Sequence, residues 1–163
     1  MNFSFRRVND NDSEVVTSIF NYFVENSFAA YPEKKVGHDF FETLKEMAKD
    51  YPFYVIETED YEVIGFGLLQ RYNRMDAFKH AGKVTYFILP LHIRKGLGKK
   101  LLDILVEQAK EMGIDTLLAD ISSMNKLSLS FHEKNGFKQC GKFRRIGKKF
   151  GKYFDVIWMQ RFI

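Results

Sequence analysis

The sequence predicts an α+β fold: one central, mainly antiparallel mixed sheet flanked by helices. Three observations lead there. Hydrophobic spacing switches between strand and helix periods to give the order β α α β β β α β α β β. Several neighbouring strand segments are joined by short turns, which makes hairpins and so antiparallel pairs. One strand–glycine turn–helix–strand unit departs from that rule and supplies a parallel pair through a crossover. A length of 163 residues is enough for a single domain spanning the chain, residues 1–163.

A strand is expected at residues 3–8. Asp12 or Ser13 then caps a helix to residue 26, where Val15, Val16, Ile19, Phe20, Phe23 and Val24 recur at helical spacing. Tyr31-Pro32 breaks this pattern, and Asp39 caps a second helix over 40–48. Residues 52–58, rich in aromatic and β-branched types, turn at 59–62 and return over 63–70 as a hairpin. A polar loop over 72–82 leads to an apolar strand at 84–89, which Pro90 ends. After Gly96-Leu97-Gly98 comes an amphipathic helix with Leu101, Leu102, Leu105, Val106 and Ala109 inside, stopped by Gly113. A strand at 116–121 pairs in parallel with 84–89 and precedes a helix over 125–134, ended by Asn135-Gly136. Two last strands, 137–146 and 153–162, enclose a turn over 147–151.

Composition excludes several classes. Aromatic residues make up 16% of the chain, 17 of them Phe, which disordered chains do not carry. The single cysteine, Cys140, rules out an intrachain disulfide and a multi-cysteine zinc site, and is read as a small buried hydrophobe. The four histidines show no metal-ligand spacing, so no metal is expected. The first residues lack the apolar core of a leader, and no apolar stretch approaches the roughly 18 residues of a membrane span. A cytoplasmic protein with no membrane partner is expected. The net charge of +4 suits an anionic ligand such as a nucleotide, and only weakly a nucleic acid. Lys142, Arg144, Arg145, Lys148, Lys149 and Lys152 interleave with Phe143, Phe150 and Tyr153. Alternating faces of a hairpin explain that pattern, so no nucleic-acid partner is expected.

The most informative segment is Arg94-Lys95-Gly96-Leu97-Gly98-Lys99-Lys100, set between a strand and a helix. Glycine lets backbone N–H groups approach a ligand without a side chain in the way. The first N–H groups of a helix lack intrahelical partners, and its dipole is positive at that end. Such a terminus binds phosphate, and four cationic residues reinforce it here. The spacing is neither that of a P-loop nor that of a dinucleotide fingerprint.

Downstream stand Asn125, Ser128, His132, Glu133, Lys134, Gly136 and Phe137, in the pattern N-x-x-S-x-x-x-H-E-K-x-G-F. Together with the glycine turn, this resembles the GCN5-related N-acetyltransferase (GNAT) superfamily, and within it the phosphinothricin acetyltransferase-like branch. The C-terminal Gly147-Lys148-Lys149-Phe150-Gly151-Lys152-Tyr153-Phe154-Asp155 and Val156-Ile157-Trp158-Met159-Gln160, and the early Asn21-Tyr22-Phe23-Val24-Glu25-Asn26-Ser27, are similar to segments of that branch.

The resemblance implies an acetyl-CoA-dependent N-acetyltransferase acting on a small amino-acid-like amine, with acetyl-CoA between two splayed strands. The alternatives are transfer to a protein N-terminus or another amine, or a noncatalytic acyl-CoA-binding domain. It implies that the backbone of Ile88 and Leu89 bonds the pantetheine arm, Leu89 or Ile88 polarising the thioester carbonyl. Pyrophosphate would sit on the amides of Arg94, Lys95, Gly96, Leu97, Gly98 and Lys99. Asn125 and Ser128 would hold the cofactor, and His132 would stand near its sulfur as a proton donor. Tyr31, Arg74, Phe78 and Tyr86 are the implied acceptor-site residues. A homodimer is a habit of the branch.

Three departures stand out. Ile93 replaces the usual Arg or Gln at the head of the glycine turn, and Arg94 replaces a glycine, so it must hold a backbone conformation open to a side chain. Lys83 stands where the branch carries Glu, its supposed base. Lysine stays protonated at neutral pH unless buried, so deprotonation would fall to His80, a water relay or no enzyme group. Lys83 also favours an anionic acceptor over a polyamine.

Overall fold

The computed structural model describes residues 2–163. Strand β1 (Phe3–Arg7) runs into a short 3-10 turn at Asp10–Asp12 and then helix α1 (Ser13–Asn26). Asp12 precedes α1 but makes no side-chain cap bond to it. Its carboxylate instead accepts the Asn9 N–H at 2.8 Å and hydrogen bonds from the two terminal guanidinium nitrogens of Arg6, at 2.8 and 2.9 Å. Helix α2 (Asp39–Met47) starts one residue earlier than expected, with His38 in the cap position and Asp39 inside its first turn.

Strands β2 (Phe53–Thr58) and β3 (Val63–Arg71) form the expected hairpin, followed by β4 (Ala81–Ile88), α3 (Leu97–Glu111), β5 (Thr116–Ser122) and α4 (Lys126–Lys134). The chain ends in the hairpin β6 (Lys138–Lys149) and β7 (Lys152–Phe162). Its turn is tighter than the expected 147–151. Phe150 and Gly151 sit at φ 51° and 72°, the left-handed pair that joins two twisted strands in a two-residue loop.

The seven strands form one sheet in the order β1-β2-β3-β4-β5-β7-β6. Among the described residues only β4 and β5 pair in parallel. Strand alternation divides the core between the two faces. On one face α1 and α2 pack Val16, Ile19, Phe20, Phe41 and Leu44 against Val55, Phe66 and Leu68. On the other, Leu102, Leu105, Val106 and Ala109 of α3 cover Leu69, Val84, Leu117, Ala119 and Ile121. Among the described residues no helix is long and apolar enough to cross a membrane.

Cys140 is exposed, which corrects the buried reading. It sits beside an irregularity between Gln139 and Gly141 on the edge strand β6, whose residues are exposed on both faces along nearly its whole length, so no inward side was open to it.

Candidate active site

Parallel pairing of β4 with β5 lasts only from Ala81–Thr116 to Lys83–Leu118. Beyond Lys83 the strands part: β4 continues against β3 as far as Ile88, and β5 continues against β7 as far as Ser122. The result is a fork in the sheet that opens toward the carboxyl ends of both strands.

The fork exposes backbone groups. The Leu89 N–H donates to the Ile64 carbonyl at 2.9 Å, on the β3 side. Of the two amides named for the thioester carbonyl, that of Leu89 is thus engaged within the sheet. Peptide groups alternate direction along a strand, so the Ile88 and Tyr86 amides turn toward the fork instead.

The glycine turn closes the mouth. Gly96, at φ 77°, is the left-handed residue before α3, and no side chain caps the helix. The first helical bond is Lys100 N–H to Gly96 carbonyl, 3.1 Å. Helix α3 therefore begins at Leu97, earlier than the sequence suggested, and the amides of Leu97, Gly98 and Lys99 form its open first turn. A Cβ on Gly98 would lie 3.3 Å from the Phe131 ring, so this turn also packs tightly on α4. Arg94 holds φ 61° as a side-chain-bearing residue. Lys99 pairs with Asp103 at 2.6 Å, leaving its amide as its contribution to the turn. Ile93, Arg94 and Lys95 are exposed.

Two polar groups flank the fork on opposite faces. On the α3 and α4 face, the Tyr86 hydroxyl hydrogen-bonds His132 Nε2. His132 is only 3% exposed, and its Nδ1–H donates to the Ser128 carbonyl at 2.7 Å. A neutral ring with its proton on Nδ1 must accept at Nε2, so Tyr86 is the donor in that pair. Burial lowers the His132 pKa, outweighing the Ser128 bond, and burial also raises that of Tyr86. Both groups therefore rest in their neutral forms. His132 is buried and Tyr86 half-buried, so Tyr86 is the more accessible end of the couple. Asn125 caps α4, its side-chain carbonyl accepting the Ser128 N–H at 3.2 Å.

On the α1 and α2 face, Lys83 Nζ lies 3.0 Å from Asp120 Oδ1. The Tyr31 hydroxyl donates to Asp120 Oδ2 at 3.2 Å. Burial and the Asp120 charge both raise the Tyr31 pKa. Tyr31 stacks on Phe154, and its loop is anchored by Lys149, fully buried, whose ammonium donates to the Ser27 and Ala30 carbonyls at 2.7 Å each. Asp120 was missed in the sequence, although a carboxylate inside the apolar run Thr116-Leu117-Leu118-Ala119-Asp120-Ile121 is a visible signal.

The description "Acetyltransferase (GNAT) domain" matches residues 5–158. The chain belongs to the GNAT acetyltransferase family. It is similar to the L-amino acid N-acyltransferase MnaT of Escherichia coli, at 31% identity over 91% of this chain and 87% of that protein. It is also similar to an L-methionine sulfoximine/L-methionine sulfone acetyltransferase of Salmonella typhimurium, at 29% identity over 91% and 88%. Its fold matches a GNAT superfamily phosphinothricin acetyltransferase from Sinorhizobium meliloti, solved with acetyl-CoA, with TM-score 0.93 and 25% identity over 100% of this chain and 89% of that one.

Within this GNAT fold the remaining residues of the sequence reading separate. Ile88, the glycine turn, Tyr86, His132, Ser128, Asn125 and Tyr31 surround the fork. His80 does not: it is exposed at the closed end of the strand pair, where its carbonyl accepts from Asp115 and Thr116 N–H. It lies about 26 Å along β4 from Ile88. Arg74 and Phe78 lie exposed in the same loop, Phe78 against Tyr72. Among the described residues no cluster of His, Cys, Asp and Glu could hold a metal.

Proposed function

We propose that this GNAT enzyme transfers acetyl from acetyl-CoA to the amine of a small amino-acid-like acceptor by direct attack on the thioester, in the cytoplasm. The observation that carries the reading is the fork, with a helix N-terminus at its mouth and a polar group on each face. The related MnaT and methionine sulfoximine acetyltransferase support the acceptor class.

The fit to acetyl-CoA rests on the uncapped first turn of α3, whose amides match an anion and whose Gly96 holds the left-handed bend they need. Leu97, Gly98 and Lys99 offer these amides to pyrophosphate, and Arg94 and Lys95 add charge. Ile88, facing the fork, bonds the pantetheine arm and donates its N–H to the developing oxyanion. Asn125 uses its carbonyl as a cap and keeps its NH₂ end for the cofactor. Ser128 acts through His132, which it holds as the Nδ1–H tautomer. Tyr86, kept protonated by burial, turns its O–H from His132 Nε2 to the departing sulfur and gives it a proton, while the His132 ring keeps the phenol in place until then.

The test is calorimetric titration with acetyl-CoA, followed by thiol release on a panel of amino acids. Tyr86→Phe is expected to leave acetyl-CoA affinity unchanged and lower kcat by about 10²-fold. Wild-type kcat in that variant would remove Tyr86 from the chemistry.

A further inference from the structure

The face opposite Tyr86 carries a charge pair for which the resemblance offers no role. Lys83 is the last β4 residue in register with β5, and Asp120 lies just past the fork point on the same face of β5. Both side chains are partly open, 22% and 18% exposed. Tyr31 holds the second carboxylate oxygen. Gln70, the β3 residue paired with Lys83, has a buried side-chain carbonyl oxygen without a hydrogen-bond partner among the described residues. Trp158, opposite Asp120 on β7, places its ring 5.9 Å from Lys83 Nζ.

We propose that Asp120 receives the acceptor's ammonium and takes its proton, while Lys83 binds the acceptor's acid group. The inference rests on the acetyl-transfer reading and names the chemistry of its acceptor side. A half-buried ion pair is destabilised when either partner is left alone. A zwitterion resolves this by exchange: its ammonium replaces Lys83 on Asp120, and its acid group replaces Asp120 on Lys83. One internal pair becomes two intermolecular pairs, and no charge is stranded. A diamine would face Lys83 with a like charge, and a neutral amine would offer nothing to it.

The position also suits the reaction. The base stands on one face of the fork and the Tyr86 hydroxyl on the other, so nitrogen arrives and sulfur leaves from opposite sides. Asp120 takes one proton from the ammonium, and the freed lone pair forms the C–N bond at the thioester carbonyl carbon. The C–S bond breaks with its electron pair going to sulfur. Nitrogen loses two protons overall: Asp120 passes the first to water, and the second balances the proton gained by sulfur. The carboxylate missing from β4 is thus supplied from β5.

The experiment compares wild type, Asp120→Asn, Asp120→Glu and Lys83→Met by steady-state kinetics on amino acids, their methyl esters and diamines, with acetyl-CoA affinity measured in parallel. Asp120→Asn is expected to lose about 10²-fold or more in kcat with acetyl-CoA affinity kept, and Asp120→Glu to recover part of it. Lys83→Met is expected to raise KM for amino acids about tenfold with little change in kcat, and to narrow their advantage over the esters. Wild-type kcat in Asp120→Asn, or a wild-type preference for diamines, overturns this assignment alone. Absence of turnover by wild type on every amine overturns the transfer reading, and this assignment with it.

Discussion

Arg94 carries the clearest sign of local strain near the site. A residue with a Cβ at φ 61° meets the carbonyl clash that glycine avoids. Arg94→Gly is expected to raise stability by about 1 kcal/mol, after the extra freedom glycine gains in the unfolded chain is subtracted. Thermal unfolding without ligand reads this directly, and an unchanged or lower midpoint would show that the position is unstrained. The same variant is expected to weaken acetyl-CoA binding modestly, because it removes a cation from the mouth of the fork. His132 shows the complementary lesson. Its helical position was legible in the sequence, but its burial and its bond to Tyr86 depend on how α4 sits on β4.

Helix α3 places the anion-binding turn, and its closeness to the sheet depends on a residue far from that turn. A Cβ on Gly67 would come within 2.7 Å of Leu101 Cδ2 and 3.0 Å of Tyr86 Cβ. Leu101 is fully buried, so it has little room to yield. Gly67→Ala is expected to lose about 1–3 kcal/mol in denaturant unfolding and to weaken acetyl-CoA binding by displacing α3. Gly37→Ala is the control, because a Cβ there meets nothing within 4 Å. A loss no larger than the control's would mean that the helix is not seated by this contact. The sequence showed the amphipathic face of α3 but not its start. Gly98 reads as a loop residue locally, yet it belongs to the first turn, where a side chain would crowd Phe131.

For the whole molecule, acid is the expected weakness, and two buried groups set the windows. Burial lowers the His132 pKa, so an unfolded chain binds a proton that the folded one refuses. The stability from this group is complete above its unfolded pKa of about 6.5 and is lost as pH falls toward the lowered folded value. Burial alone would raise the pKa of Asp12, but the Arg6 hydrogen bonds, the Asn9 amide and the Arg6 charge together bring it below the usual range. Its contribution is complete above about pH 4 and is lost below that. Stability measured by denaturant titration is therefore expected to fall in two stages, and His132→Phe to remove the upper one. A variant that keeps the slope between pH 6.5 and 5 would assign that stage to another group.

The sequence alone determined the order of elements, the hairpins, the single crossover and the helix terminus behind the glycine turn. It also determined the family, through motifs spread from the first helix to the last strand. These are readable because periodicity, turn chemistry and capping act over a few neighbouring residues. Only the tertiary structure decided which amides face the fork. Leu89 and Ile88 look alike in sequence, and they differ only when β3 takes one of the two donors. It also decided that Cys140 faces solvent and that His80 stands at the closed end of the strand pair. Above all it brought Lys83, Asp120 and Tyr31 together from β4, β5 and the loop after α1. A lysine in the place of a carboxylate looked like the loss of a base when read by itself. Its meaning depends on the register between two strands that pair briefly and then part, and register is a non-local property that no short stretch of sequence contains.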